Sequence, residues 1–199
     1  MYLNIHSFIL IMLYTYKMTN DSGCAPNPYQ ICTLAICKPK IRNSAKVGDY
    51  IIGFGSKQLG SENKIIYIMK VTDKLTFEEY NWLCKNKYLS KIKNGDCIYY
   101  KKNNKIIQRV NKYHDEHCIS TDISSPFVLL SNNYLYFGSN SINVSNNLKK
   151  IVPEYRGHKS KSNEIYLSEF INWYNNLKLI YKNNIQGNPH NIISNKLRC

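Results

Sequence analysis

Apolar residues in this chain fall into short runs separated by polar, turn-forming segments, and only two stretches keep a helical period. Phe8 to Tyr14 is unbroken apolar. It is shorter than the roughly 20 residues that cross a bilayer and lacks a basic leader and a small-residue cleavage site, so it reads as a buried first strand. Ile31 to Ile36, Tyr50 to Phe54 and Lys64 to Val71 read as further strands, the last of central-strand character. A short strand is predicted at Cys97 to Tyr100, after the Asn94-Gly95-Asp96 turn and before the Lys101 to Lys105 run, which reads as a solvated turn. Phe127 to Ser131 and Tyr134 to Phe137, joined by Asn132-Asn133, predict a tight hairpin. Thr76 followed by Glu79 is a capping box, and Phe77, Tyr80 and Leu83 recur at helical spacing, so a helix is expected from Thr76 to about Tyr88. A second begins near Asn163, with Leu167, Ile171, Tyr174, Leu177 and Tyr181 on one face. Arg109 to Ser125 is polar and reads as loop, and so is the Asn-rich tail from Asn183. Many short strands around two principal helices imply one α+β domain with a mainly antiparallel, partly closed barrel-like sheet.

The densest signal lies between Asp21 and Ser56. Gly23 frees the backbone, while Pro26 and Pro28 push Ala25 and Asn27 into extended geometry, giving a stiff loop. Lys38, Lys40 and Arg42 alternate around Pro39; in an extended segment all three point to one face. Lys46-Val47-Gly48-Asp49 is a turn into the next strand, where Gly53 and Gly55 leave room for close approach to the backbone. A cleft between the strands on either side is the expectation.

Composition narrows the function. The 199 residues suit one domain with a substantial core. Lysine and arginine number 27 against 13 acidic residues, a formal charge of +14, which points to a polyanionic partner. The abundance of Asn, Lys, Ile and Tyr, residues of A/T-rich codons, offers a second origin for that excess. Mean hydropathy of −0.42 argues against a polytopic membrane protein. Seven cysteines without regular spacing fit a reducing compartment, so a cytoplasmic location is expected.

The run from Asp21 to Ser56, with Val128-Leu129-Leu130-Ser131, Tyr136-Phe137-Gly138 and Arg156-Gly157-His158-Lys159 in the same order, resembles the second type of nucleotide-modification-associated domain. That family occurs in bacteria and viruses and is named for its genomic association with DNA base-modification systems. The resemblance begins near residue 12, so residues 1–11 are read as an N-terminal extension, 12–182 as the domain and 183–199 as a C-terminal tail. The Lys-Val-Gly-Asp turn and the glycine-bearing strand after it also resemble the small barrels of the PUA, ASCH and EVE superfamily. Together the resemblances imply a nucleotide or modified-base binding domain, in phage or phage-defence systems, with nucleotide or nucleic acid, DNA favoured, as partner. They also admit protein partners of a base-modification system, and imply no membrane and no cofactor. The alternative is an enzyme of nucleotide or DNA-base modification using Asp21 or His158 as acid/base in the same cleft.

The residues support these roles in different degrees. Asp21 is a hydrogen-bond acceptor for a base edge, a general base, or an Asx-turn acceptor within its loop. Asn27 offers donor and acceptor for bidentate base reading, or for local turn bonding. Tyr29 is the loop aromatic best suited to stacking. Lys38, Lys40, Arg42, Arg156, His158 and Lys159 are the candidate phosphate contacts, drawn from two basic loops. Cys32 and Cys37 lie on opposite faces of the expected strand, a poor arrangement for one metal, and His114, His117 and Cys118 have no second ligand pair of fitting spacing, so no metal site is expected. A thiol at Cys37 beside Lys38 has a cation to activate it, whereas a buried thiol is inert. P-loop, dinucleotide-fingerprint and nucleophile-elbow motifs are absent from the sequence.

Overall fold

The computed structural model describes residues 10–111 and 114–190. Of the proposed extension only residues 10 and 11 are described, and of the proposed tail residues 183–190.

Two sheets stack with helical layers outside them. The larger has the order β10-β1-β3-β4-β9, from β1 (Leu13–Met18), β3 (Tyr50–Gly55), β4 (Ile65–Lys70), β9 (Asn133–Tyr136) and β10 (His158–Lys159). The smaller has the order β2-β8-β5, from β2 (Cys32–Leu34), β5 (Asp73–Thr76) and β8 (Phe127–Ser131). All pairings are antiparallel except β1 with β3. The mainly antiparallel α+β reading holds, but the described strands form separate sheets and no closed barrel.

Strands β3 and β4 are apolar on both faces because both faces are covered. One face packs Ile52, Phe54, Ile68 and Leu135 against Phe170, Tyr174 and Leu177 of α5 (Leu167–Ile180). The other packs Ile51, Tyr67 and Met69 against Leu34 and Leu129 of the smaller sheet. Beyond that sheet, Val128 and Leu130 meet Phe77, Tyr80 and Cys84 of α2 (Phe77–Asn86). Helix α2 starts where the capping box predicts, with the Thr76 hydroxyl accepting from the Glu79 amide and the Glu79 carboxylate from the Thr76 amide.

Several local expectations are corrected. Lys38 to Arg42 is not extended: Pro39 occupies the first turn of α1 (Pro39–Ser44), where its missing N–H costs nothing, so the three cations do not share a face. Strands β8 and β9 belong to different sheets rather than forming a hairpin, because Ser131 folds its hydroxyl onto the carbonyls of Lys70 and Asn133 at the crossing. The strands flanking α1, β2 and β3, are likewise in different sheets, so they do not form the two walls of one sheet edge. The approach at Gly53 and Gly55 is by the protein itself: an added Cβ would meet Met18 and Tyr67 at the first, and Ser61 at the second. The lysine run is a hairpin of β6 (Tyr99–Lys102) and β7 (Lys105–Gln108), turning on Asn103 and Asn104, both left-handed. A short α3 (Leu89–Asn94) and α4 (Ile119–Asp122) were not anticipated.

Candidate active site

Between β2 and α1 the chain makes a turn in which two consecutive non-glycine residues are left-handed, Cys37 (φ 56°) and Lys38 (φ 46°). Such backbone is costly and persists where surrounding bonds fix it. Here the Cys37 amide donates to Asp122 Oδ1 at 2.6 Å, and the Cys37 carbonyl accepts from Arg42 Nε at 2.8 Å. The turn leaves the Cys37 thiol half-buried, with Sγ 3.5 Å from His114 Nε2. His114 Nδ1 lies 3.0 Å from Asp122 Oδ2. Thiol, imidazole and carboxylate thus form a continuous hydrogen-bonded series, the arrangement in which a base activates a nucleophile and an acid orients the base.

Each member is held by different elements. Asp122 ends α4 and is wholly buried, and its Oδ2 also accepts from the Tyr99 hydroxyl of β6 at 3.0 Å. Gln108 of β7 donates to the carbonyl of His114 at 3.3 Å, fixing the segment that carries the imidazole. With Nδ1 directed to Asp122, Nε2 is the ring nitrogen that faces the thiol. Burial disfavours the imidazolium, but the hydrogen bonds and charges of Asp122 and Cys37 outweigh it and push His114 up to about 10.

The same three side chains are close enough to be metal ligands, their donor atoms lying within 4.8 Å of one another. The bonds already made argue for the triad: Asp122 Oδ1 accepts from the Cys37 amide, and Oδ2 from His114 and Tyr99. No oxygen of Asp122 is left without a donor.

Cations border the thiol. Lys38 sets its Nζ 4.8 Å from the Tyr16 ring. Burial and then the positive charge of Arg156 lower its pKa, against the opposing pull of Cys37. The His158 ring lies 6.4 Å from that of Tyr14, and burial and then the charges of Lys40 and Lys38 lower its pKa. Of the six cations expected to contact phosphate, Lys38, Lys40, Arg156 and His158 are within electrostatic reach of one another, and Lys38 follows Cys37 directly in the chain.

Other expected site residues are engaged elsewhere. The Arg42 guanidinium is fully buried and donates to the carbonyls of Cys37, Ser125 (2.9 Å), Phe127 (2.5 Å) and Asp122, so it builds the turn and has no open face for a phosphate. Asp21 accepts from the Tyr136 hydroxyl at 2.7 Å and pairs with His190 Nδ1 at 2.9 Å, while His190 Nε2 lies 2.8 Å from Ser61 Oγ. Asn27 is buried, its side-chain oxygen accepting from Lys91 Nζ at 2.7 Å. Tyr29 is exposed on the loop. Lys159 donates to the Lys150 carbonyl at 2.8 Å, on the opposite side of β10 from His158.

Residue types alone pointed to Cys37 and to His114 separately, but not to their pairing, and Asp122 carried no sequence signal. The three are 77 to 85 positions apart or within one polar segment, and only the fold joins them.

Residues 10–196 match the family of nucleotide modification associated domain 2. The chain belongs to that family. No curated protein and no solved structure matches it significantly. The family's name associates the chain with nucleotide modification, and among the described residues no helix is long and apolar enough to cross a membrane.

Proposed function

We propose that this nucleotide modification associated domain is a thiol-dependent enzyme acting on a nucleotide or nucleic-acid base. Cys37 is the nucleophile, His114 its acid/base partner, and Asp122 the group that orients the imidazole. The observation carrying this reading is the Cys37 Sγ to His114 Nε2 to Asp122 series, with contacts of 3.5 and 3.0 Å, on a left-handed turn tied down from both sides.

In the step this geometry supports, the thiol proton passes to His114 Nε2 and the thiolate sulfur adds to an electrophilic carbon, forming the S–C bond. The displaced π electron pair moves onto the neighbouring atom, which takes back the proton from His114. Lys38, Lys40, Arg156 and His158 hold the substrate's phosphate beside the thiol. Tyr29, Asp21 and Asn27 supply no contact to the reacting atoms in this reading; the acid/base role expected of Asp21 or His158 passes to His114.

Alkylation by iodoacetamide, followed by intact-protein mass at pH 6 to 8, tests the assignment. Cys37 is expected to react first among the thiols, its rate to fall at least tenfold in His114→Gln, and a deoxynucleotide or oligonucleotide to protect it. Alkylation of Cys37 no faster than a simple thiol and indifferent to His114→Gln overturns the proposal.

A further inference from the structure

A cleft of about 1020 Å³ lies on the face of the larger sheet opposite Cys37. Lys17 of β1 and Lys159 of β10 reach it from the sheet edge, and Lys149 and Lys150 line it from the 3-10 turn at Asn146–Ile151. Its floor includes Val144 and Val152, and its acidic members are Glu62 and Glu154. At its mouth stands Tyr155, 81% exposed, which also borders a smaller hollow of about 300 Å³ formed by residues 153–159.

The edge strand connects this cleft to the thiol. In β10, Lys159 is opposite Thr15 and His158 opposite Tyr16, so adjacent residues present their side chains to opposite faces of the sheet. Lys159 donates to the Lys150 carbonyl on the cleft side, and His158 is within electrostatic reach of Lys38 and Lys40 on the Cys37 side. Arg156 and Tyr155 form the bend between them. Positive charge therefore continues around one sheet edge, from the four lysines to the group beside Cys37.

A single nucleotide needs one phosphate site and fills only part of a cleft of this size, which is at the upper limit for small-ligand pockets. Four lysines, an apolar floor and one exposed aromatic ring form the combination that tracks a sugar-phosphate backbone and stacks a base without reading sequence. A rigid duplex is poorly suited to turning around an edge strand two residues long, whereas a single strand is flexible. We infer that the lysine cleft binds the backbone of a single-stranded nucleic acid, so that the substrate of Cys37 is a nucleotide within a polymer rather than a free one. The identity of the reacting group rests on the function proposed above; the cleft's binding of a strand does not.

Fluorescence anisotropy with labelled 12-mers of dT and rU, a 12-base-pair duplex and competing dTMP tests this inference. One or both single strands are expected to bind at least tenfold more tightly than the duplex, with dTMP a weak competitor; the stronger of dT and rU identifies the sugar. With four lysines engaged, log K should fall with log salt at a slope of about −2.8, and Lys149→Gln with Lys150→Gln should reduce that slope by about 1.4. Tyr155→Ala should weaken binding without changing the slope. Equal or tighter duplex binding, or strand binding indifferent to the lysine and tyrosine changes in variants that keep the wild-type Tm, overturns the inference. Iodoacetamide, which needs no nucleic-acid site, separates the two proposals on wild-type protein. A reactive Cys37 without strand binding overturns the cleft alone, and strand binding with an inert Cys37 overturns the thiol reading alone.

Discussion

Arg42 Nε donates to the carbonyl of Cys37 at 2.8 Å, so a buried cation five residues along the chain fixes the left-handed turn that presents the thiol. The same guanidinium reaches the carbonyls of Asp122, Ser125 and Phe127. One side chain thus ties the nucleophile's turn to the carboxylate's segment. Lysine carries the charge but not the planar fork of donors, so Arg42→Lys should leave carbonyls unpaired. A loss of about 3 kcal/mol or more in urea unfolding is expected, with slower alkylation of Cys37 in whatever fraction remains folded. A fully stable Arg42→Lys variant with wild-type thiol reactivity would show that the fork does not hold the turn.

The imidazole of His114 is held well above its ordinary range, from 6.5 up to about 10, with burial opposing and Asp122 and Cys37 prevailing. A group whose folded pKa is raised stabilises the fold in its protonated form. Its contribution is complete below about pH 6.5 and disappears as the pH rises through about 10. Thermal unfolding of wild type should therefore lose Tm between those limits, relative to His114→Gln followed over the same range. Parallel pH profiles for the two proteins would mean that His114 is neutral in the fold.

How much of this was legible depended on the range of the interaction. The capping box at Thr76 and Glu79 is local, and the helix starts where it says. The two-faced apolar run of β4 correctly implied an interior strand, between β3 and β9. Lys38 to Arg42 was misread because alternating cations imply a face only in extended chain, and Pro39 is as well suited to opening a helix as to breaking a strand. Asn132-Asn133 has the residue types of a hairpin turn, but the choice of sheet is made by Ser131 and by burial, which no dipeptide carries. At the site, Cys37 was visible as a thiol beside a lysine, yet the two groups that would make it reactive come from a polar stretch without periodicity. Polar residues buried by long-range contacts look, in sequence, the same as polar residues in water.

His158 is depressed by burial and then by Lys40 and Lys38, a signature of converging positive charge. Lys40 is exposed and its removal should not disturb packing. In Lys40→Ala the pKa of His158 should move back up toward 6.5, followed by the ring proton shifts in an NMR titration. Adding inorganic phosphate to wild type should move it in the same direction, because an anion seated among Lys38, Lys40 and Arg156 favours the charged imidazole. An unchanged titration in both experiments would place the cations too far apart to share a phosphate.

Asp21 is buried between the Tyr136 hydroxyl and His190, and His190 in turn meets Ser61. The segment leading to His190 lies close along the larger sheet: the Tyr136 amide donates to the Asn184 carbonyl and the Gln186 amide to the Tyr136 carbonyl, at 2.7 and 2.8 Å. Gly138 completes the fit, since its left-handed backbone places an added Cβ only 2.2 Å from the Asn188 carbonyl. Asp21→Asn exchanges an acceptor-only group for an amide that cannot accept from both partners on equal terms, a cost of about 1–3 kcal/mol. Hydrogen exchange of the amides of Gln186 and His190 should accelerate in this variant, and again in Gly138→Ala, while the amides of β3 and β4 stay protected. If Asp21→Asn instead leaves exchange unaltered and abolishes the reactivity of Cys37, the carboxylate serves the chemistry and not the anchoring of this segment.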